Sequence, residues 1–344
     1  MEQEIKVMGE SAMNKKLWVI LVCLSISIGL LLGGLASASQ LEDVRLSEVV
    51  RSVFYAPHYA AIEKGFFAEE GINIILETAW GADKGAAALI SGSVDIGFFG
   101  PEAALYIYQH GATDAIVGFA QLTARDGSFF MARDLNEEFR WENVKGKTIV
   151  GARKGGVPQM VLEWVLKQNG IQPFVDVNII TNLAFEAAVG AYQAGVGDYI
   201  AQFEPAMSQV EQLGGGKIVA SLGEEAGPIT YTVYHVRRRT LQERPDLLIG
   251  FTRAIIRGQQ WVHENTAETI AAVVTPYFPD IALEILAKTI ERYKSINAWP
   301  LNPILSEEEF MNLQKVMIEA GELERIIPFE ELMDNTIVLQ ALDS

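Results

Sequence analysis

The run Arg153-Lys154-Gly155-Gly156-Val157-Pro158 carries the chain's most suggestive chemistry for gripping an anion. Glycines let a ligand approach the backbone closely, two cations stand beside them, and a helix opening at Pro158 would present unpaired N–H groups. A plain glycine turn with solvated Arg153 and Lys154 fits the same residues, so both readings stand. Glu204 pulls the other way, because a carboxylate accepts hydrogen bonds and suits a solute that donates them, such as an amine or an aminopyrimidine. Phe54, Tyr55, Trp80, Phe99 and Phe203 offer rings on which a flat ligand could stack. Core packing explains Phe54 and Phe99 at least as well, whereas Trp80 beside Gly81 is the better ligand candidate. His58 is either a ligand donor or an ordinary polar residue at a helix start, and Asp95 and Asp198 read as turn caps.

Groups so scattered need a scaffold that brings them together. Runs rich in β-branched residues alternate with helical patterns, which calls for parallel strands and crossover helices, an α/β fold of two doubly wound units. The first unit is expected to have strands at 46–54, 72–77, 96–99 and 114–122, with helices from Pro57 and over 84–91 and 101–110. The second repeats the plan with strands at 147–152 and 177–180 and helices at 158–168 and 187–194. From Arg244 onward the pattern is helical, over 245–264, 267–277, 280–293 and 306–320, where Ser306 and Glu309 form a capping box. Gly92-Ser93-Val94-Asp95-Ile96 leading to Phe99-Gly100-Pro101-Glu102-Ala103 is echoed by Gly195-Val196-Gly197-Asp198-Tyr199 leading to Phe203-Glu204-Pro205-Ala206. Either the punctuation common to βα units or two similar facing lobes accounts for the echo.

Ligands of open parallel sheets bind outside the carboxyl ends of the strands. That rule nominates loops 54–58, 78–81, 99–102 and 121–123 on one side and 153–157, 181–184 and 202–205 on the other. The binding candidates are therefore Phe54, Tyr55, His58, Trp80, Gly81, Phe99, Gly100 and Gln121, set against Arg153, Gly155, Gly156, Val157, Asn182, Phe203 and Glu204.

Composition narrows the function. At 344 residues the chain is sized for two lobes, and 49% hydrophobic with 21% charged residues is a folding composition. A formal net charge of −17 argues against a nucleic-acid partner, whose phosphates call for dense Lys/Arg patches. The single cysteine, Cys23, leaves the rest of the chain without disulfides, thiolate metal sites or cysteine nucleophiles. No His-Glu-x-x-His motif, Walker-type loop or nucleophile paired with a base is present, so an enzyme is not expected, nor a cofactor or metal. Lys15 and Lys16 precede an apolar run from Leu17 to Leu35 and then Ala36-Ser37-Ala38, the pattern of an export leader over 1–38, cleaved after Ala38. The run exceeds the ~7–15 residues of a usual leader core and nears the ~20 that span a bilayer, so an uncleaved anchor stays open, as does a start at Met13.

The stretch Phe54-Tyr55-Ala56-Pro57-His58-Tyr59-Ala60-Ala61-Ile62-Glu63-Lys64-Gly65-Phe66-Phe67, with Glu69-Glu70-Gly71-Ile72, resembles the opening of solute-binding proteins of ABC importers for nitrate, sulfonates, taurine and thiamine-type pyrimidines. Gly92 to Gly97, Val144 to Ile149, Met311 to Glu322 and Asp334 to Thr336 fit the same family, so the likeness covers roughly residues 45 to 340. It implies a type II periplasmic-binding fold: two doubly wound α/β lobes with a helical C-terminal part, one lobe from 44–125 plus 230–344 and the other from 126–229. Crossings are then expected near 124–130 and 225–232. It further implies a monomer in the periplasm or at the outer face of the cytoplasmic membrane. The ligand would be a sulfonate, a nitrate-like anion or a pyrimidine-type thiamine precursor, and the partners a permease and its ATPase. A ligand-sensing protein and an enzyme like the thiamine-pyrimidine synthases are the alternatives. The latter chemistry goes with a cysteine-rich iron motif that this sequence lacks.

Overall fold

The computed structural model describes residues 41–112, 115–136 and 138–343, leaving aside the side chain at 186. The expected leader over 1–38, Cys23 and Asp114 lie outside the described residues. Two five-stranded sheets carry the fold. The first joins β1 (Glu42–Glu48), β2 (Ile72–Thr78), β3 (Ile96–Phe99), β4 (Ile116–Thr123) and β10 (Thr232–Arg237) in the order β2-β1-β3-β10-β4. The second joins β5 (Ser128–Ala132), β6 (Thr148–Val150), β7 (Asn178–Ile180), β8 (Tyr199–Phe203) and β9 (Lys217–Ser221) in the order β7-β6-β8-β5-β9. The two orders are the same plan used twice.

The sheets are mixed rather than wholly parallel. β1, β2 and β3 run parallel, as do β6, β7 and β8, but β10 is antiparallel to β3 and β4, and β5 to β8 and β9. Each antiparallel strand is the continuation of a chain crossing, so much of what the sequence suggests are connecting loops is strand. The two crossings lie side by side: Tyr231 N–H donates to Thr123 O, Ile229 N–H to Ala124 O, and the Arg125 guanidinium to Gly223 O. The sequence echo corresponds to one clip made in both sheets. Asp95 receives the Arg45 N–H on its carboxylate at 3.0 Å and returns its own N–H to Arg45 O, while Asp198 does the same with Thr148 at 2.9 Å.

Burial explains the strand patterns. β3 and β4 are covered on both faces and read as unbroken buried runs, whereas edge strand β2 alternates. β1 ends at Glu48, not at Phe54, because Ser52 caps a single 3-10 turn over Val53–Tyr55 by accepting the Phe54 N–H. Helices α1 (Ala56–Glu63), α2 (Ala82–Ser91) and α3 (Glu102–Gln109) follow strands of the first sheet, and α4 (Val157–Gln168), α5 (Phe185–Gln193) and α6 (Ala206–Gln212) those of the second. The C-terminal part adds α7 (Pro245–Glu264), α8 (Ala267–Val274), α9 (Leu283–Ser295) and α10 (Glu307–Glu319), close to the expected ranges. α7 lies tightly on α1 at Gly258, where any Cβ would collide with Pro57 O.

Candidate functional site

Strand-end loops of both sheets converge on a cavity of about 440 Å³. From the first sheet its wall takes Val49, Val50, Ser52, Phe54 and Tyr55 after β1, the Trp80–Lys84 turn after β2, Gly100, Glu102, Ala103 and Tyr106 after β3, and Tyr231 with Thr232 entering β10. The second contributes Ala152 to Pro158 except Lys154, then Ala184, Phe185 and Phe203. The floor is a ring cluster shared by the two sheets. Phe54 sits 6.2 Å from Phe203, 5.6 Å from Tyr231 and 4.8 Å from Tyr293, and Phe185 meets Phe203 edge-on at 5.8 Å. Phe54 is fixed by its backbone as well, since the Trp299 indole N–H donates to its carbonyl at 2.8 Å. Trp80 is the opposite case: 54% exposed, with its backbone at φ +60, it stands at the mouth.

Two contacts bridge the cavity between the sheets' loops. The Arg153 guanidinium donates to Asp83 at 3.0 Å, and the Tyr106 hydroxyl to Gly155 O at 3.1 Å. Partial burial works against ionisation of Asp83, but Arg153 outweighs it and holds the carboxyl below its ordinary range.

Ten of the fifteen residues nominated from sequence stand on this wall: Phe54, Tyr55, Trp80, Gly81, Gly100, Arg153, Gly155, Gly156, Val157 and Phe203. Five do not. His58 is fully buried under Phe98, with its Nδ1 at 2.9 Å from the Tyr234 hydroxyl, because α1 turns that side chain toward the sheet. Phe99 stacks on His235 at 4.3 Å, in the core. Gln121 donates its amide to Glu309 at 2.8 Å and belongs to the contact with α10. Asn182 is exposed, and the wall is reached only at Ala184 and Phe185. Glu204 faces away into a network: it accepts the Ser208 N–H and hydroxyl, each at 2.8 Å, and pairs with Arg292 at 2.5 Å.

The glycine loop is also not an open anion nest. Lys154 N–H donates to Thr181 O, Gly155 N–H to the Gln159 side chain and Gly156 N–H to Arg153 O, so these donors are spent within the protein. What sequence reasoning missed is Glu102, Tyr106, Asp83, Phe185 and Tyr231. Glu102 was within reach, since it lies in a nominated loop, and Tyr106 follows it at i+4 on the same helical face.

Comparisons with known proteins agree with this architecture. The NMT1/THI5 like family model matches residues 53–269. A Bacillus subtilis (strain 168) protein described as "Putative binding protein YtlA" is 40% identical over 326 residues, covering 94% of this chain and 98% of that one. The alkanesulfonate-binding protein SsuA from Xanthomonas axonopodis pv. citri, bound to MOPS, superposes with a TM-score of 0.69 at 16% identity over 86% of this chain and 98% of its own. The periplasmic nitrate-binding protein NrtA from Synechocystis PCC 6803 gives 0.66 at 16% identity over 88% and 89%. The desulfurization enzyme DSZB shares the fold too, at 0.64 and 12% identity over 88% of this chain and 99% of its own. At such identities these structures bear on the fold alone.

Proposed function

This chain belongs to the NMT1/THI5 like family, and we propose that within it the protein is an exported solute-binding receptor of an ABC importer. A small organic solute enters between the two sheets, the loops close on it, and the closed form docks on a permease served by an ATPase. The observation that carries this reading is the cavity itself, walled by strand ends of both sheets and strapped across by Arg153–Asp83 and Tyr106–Gly155. The periplasmic nitrate-binding neighbour supports export, with residues 1–38 as the leader. Among the described residues no helix is long and apolar enough to cross a membrane. Binding rather than catalysis is favoured because the relative 40% identical to this chain is described as a binding protein.

Small-angle scattering of natively purified protein before and after removal of bound solute, with mass spectrometry of what is released, tests this reading. A smaller radius in the loaded form supports it; no released solute and an unchanged radius would overturn it. Trp80→Ala should weaken binding of the identified solute by more than about tenfold in calorimetry, because a stacked ring is worth ~1–3 kcal/mol. Unchanged affinity would make Trp80 a bystander at the mouth. Asp83→Asn should act more gently. The strap is solvent-exposed, worth ~0.2–1 kcal/mol, so a rise of at most about fivefold in the dissociation rate is expected by stopped flow.

A further inference from the structure

Among the described residues of the cavity wall, Glu102 is the one carboxyl that is buried, at 7% exposure, while Asp83, Lys84 and Arg153 stand exposed at the rim. Its Oε2 has no hydrogen-bond partner among the described residues. Space is kept for it by Gly100, where any Cβ would collide with this carboxyl. A buried acceptor without a donor is costly unless a guest supplies one. Of the donors an anion could use, Lys84 stands at the exposed rim and the others are at least partly engaged within the protein. Arg153 is held by Asp83, and the N–H groups of Lys154, Gly155 and Gly156 are satisfied inside the protein. The wall is otherwise mostly apolar and rich in rings, among them Phe54, Tyr55, Trp80, Phe185, Phe203 and Tyr231.

We propose that the cavity takes a ring-bearing cation, an amine or amidine whose N–H groups are received by Glu102 while its ring lies among the aromatic side chains. This rests on the receptor reading and names its ligand class, setting it apart from the sulfonate- and nitrate-binding neighbours. The groups facing Glu102 are consistent with it. Burial raises the phenols of Tyr55, Tyr106 and Tyr231, which therefore stay neutral, and Asp83 adds negative potential. Burial pushes Glu102 itself up to about 7. Near neutrality a cation must displace a proton from it, so affinity should rise as pH increases through 7. An anion accepting a bond from the protonated acid would show the opposite slope.

Calorimetry with benzamidine and benzylamine against benzenesulfonate and nitrate tests the assignment, repeated in buffers of different ionisation enthalpy to count released protons. Benzamidine is expected to bind at least about tenfold tighter than benzenesulfonate, with proton release and higher affinity at about pH 8 than at about pH 6. Glu102→Gln should weaken benzamidine about 10- to 100-fold, the worth of a hydrogen bond between charged partners. The variant should fold at least as well as the parent, since the burial cost of a charge is removed. Tighter binding of benzenesulfonate or nitrate, indifference to Glu102→Gln, or no binding of benzamidine overturns the proposal. The receptor reading fails separately: a co-purified solute of any charge, with closure in scattering, would uphold it even then.

Discussion

Arg292→Ala should lower the stability of the folded chain by about 3–5 kcal/mol, the cost of stranding a buried partner charge. Glu204 is fully buried, and Arg292 reaches it from α9 at 2.5 Å while also donating to the Ser208 hydroxyl at 2.8 Å and to Glu211 at 2.6 Å. Lys288 completes the group on Glu211 at 2.7 Å. The next residue on the helix, Tyr293, donates its hydroxyl to Gly127 O on one of the chain crossings and accepts the Glu204 N–H. Loss of the guanidinium therefore leaves an uncompensated carboxylate beside the crossings. A denaturation midpoint lower by on the order of 10 °C is expected. The double variant Arg292→Met with Glu204→Gln should recover more than half of that loss, because no unpaired charge remains. A fall below about 1 kcal/mol for Arg292→Ala would mean that water reaches Glu204.

Acid should destabilise the protein in a window set by two histidines. His58 and His235 are fully buried, and burial lowers each to about 3 from an ordinary 6.5. The folded state keeps them neutral where the unfolded chain binds a proton, so their contribution is complete above about 6.5 and is lost as pH falls toward 3. Each adds a slope of up to ~1.4 kcal/mol per pH unit in that window. Glu102, raised to about 7, opposes them: its protonated folded form favours stability below its unfolded value and loses that advantage as pH rises through 7. The sum places the stability maximum in weakly acidic solution, with a steep fall below about pH 4.5, where Glu102 no longer compensates. Urea denaturation at about pH 6.5, 5.5 and 4 should trace this limb, and His235→Gln should flatten it by about one proton. A flat profile would show that the imidazoles are hydrated. His235 Nδ1 lies 3.0 Å from Val233 O, which can only accept, so the ring is held as the Nδ1–H tautomer.

Local signals made most of the scaffold readable. Pro57, Gly92, Pro101 and Pro158 mark real element boundaries, and hydrophobic runs match β2, β3, β4 and the C-terminal helices to within a few residues. The rule that strand ends face ligands placed Tyr55, Trp80 and Phe203 on one cavity without any contact information. Side-chain direction was not readable in the same way. Phe99 and Gly100 are neighbours, yet only the glycine meets the cavity, because the pleat sends Phe99 to His235. Glu204 looked like a ligand acceptor because its partner, Arg292, is 88 residues away and belongs to a helix whose docking no local pattern announces. The antiparallel strands β5 and β10 escaped for a similar reason, since a crossing segment becomes a strand only once another sheet edge receives it.

The position of β10 has a consequence for how the chain assembles. All five strands of the second sheet fall within Ser128–Ser221, so that sheet can close as soon as this stretch is available. β4, by contrast, pairs only with β10, more than a hundred residues later. A chain emerging from its N-terminus thus carries one half with an unfilled seam until just over two-thirds of it has been made. During that interval the first sheet lacks the strand that joins β4 to β3, and its final tightening waits on the arrival of a single late strand.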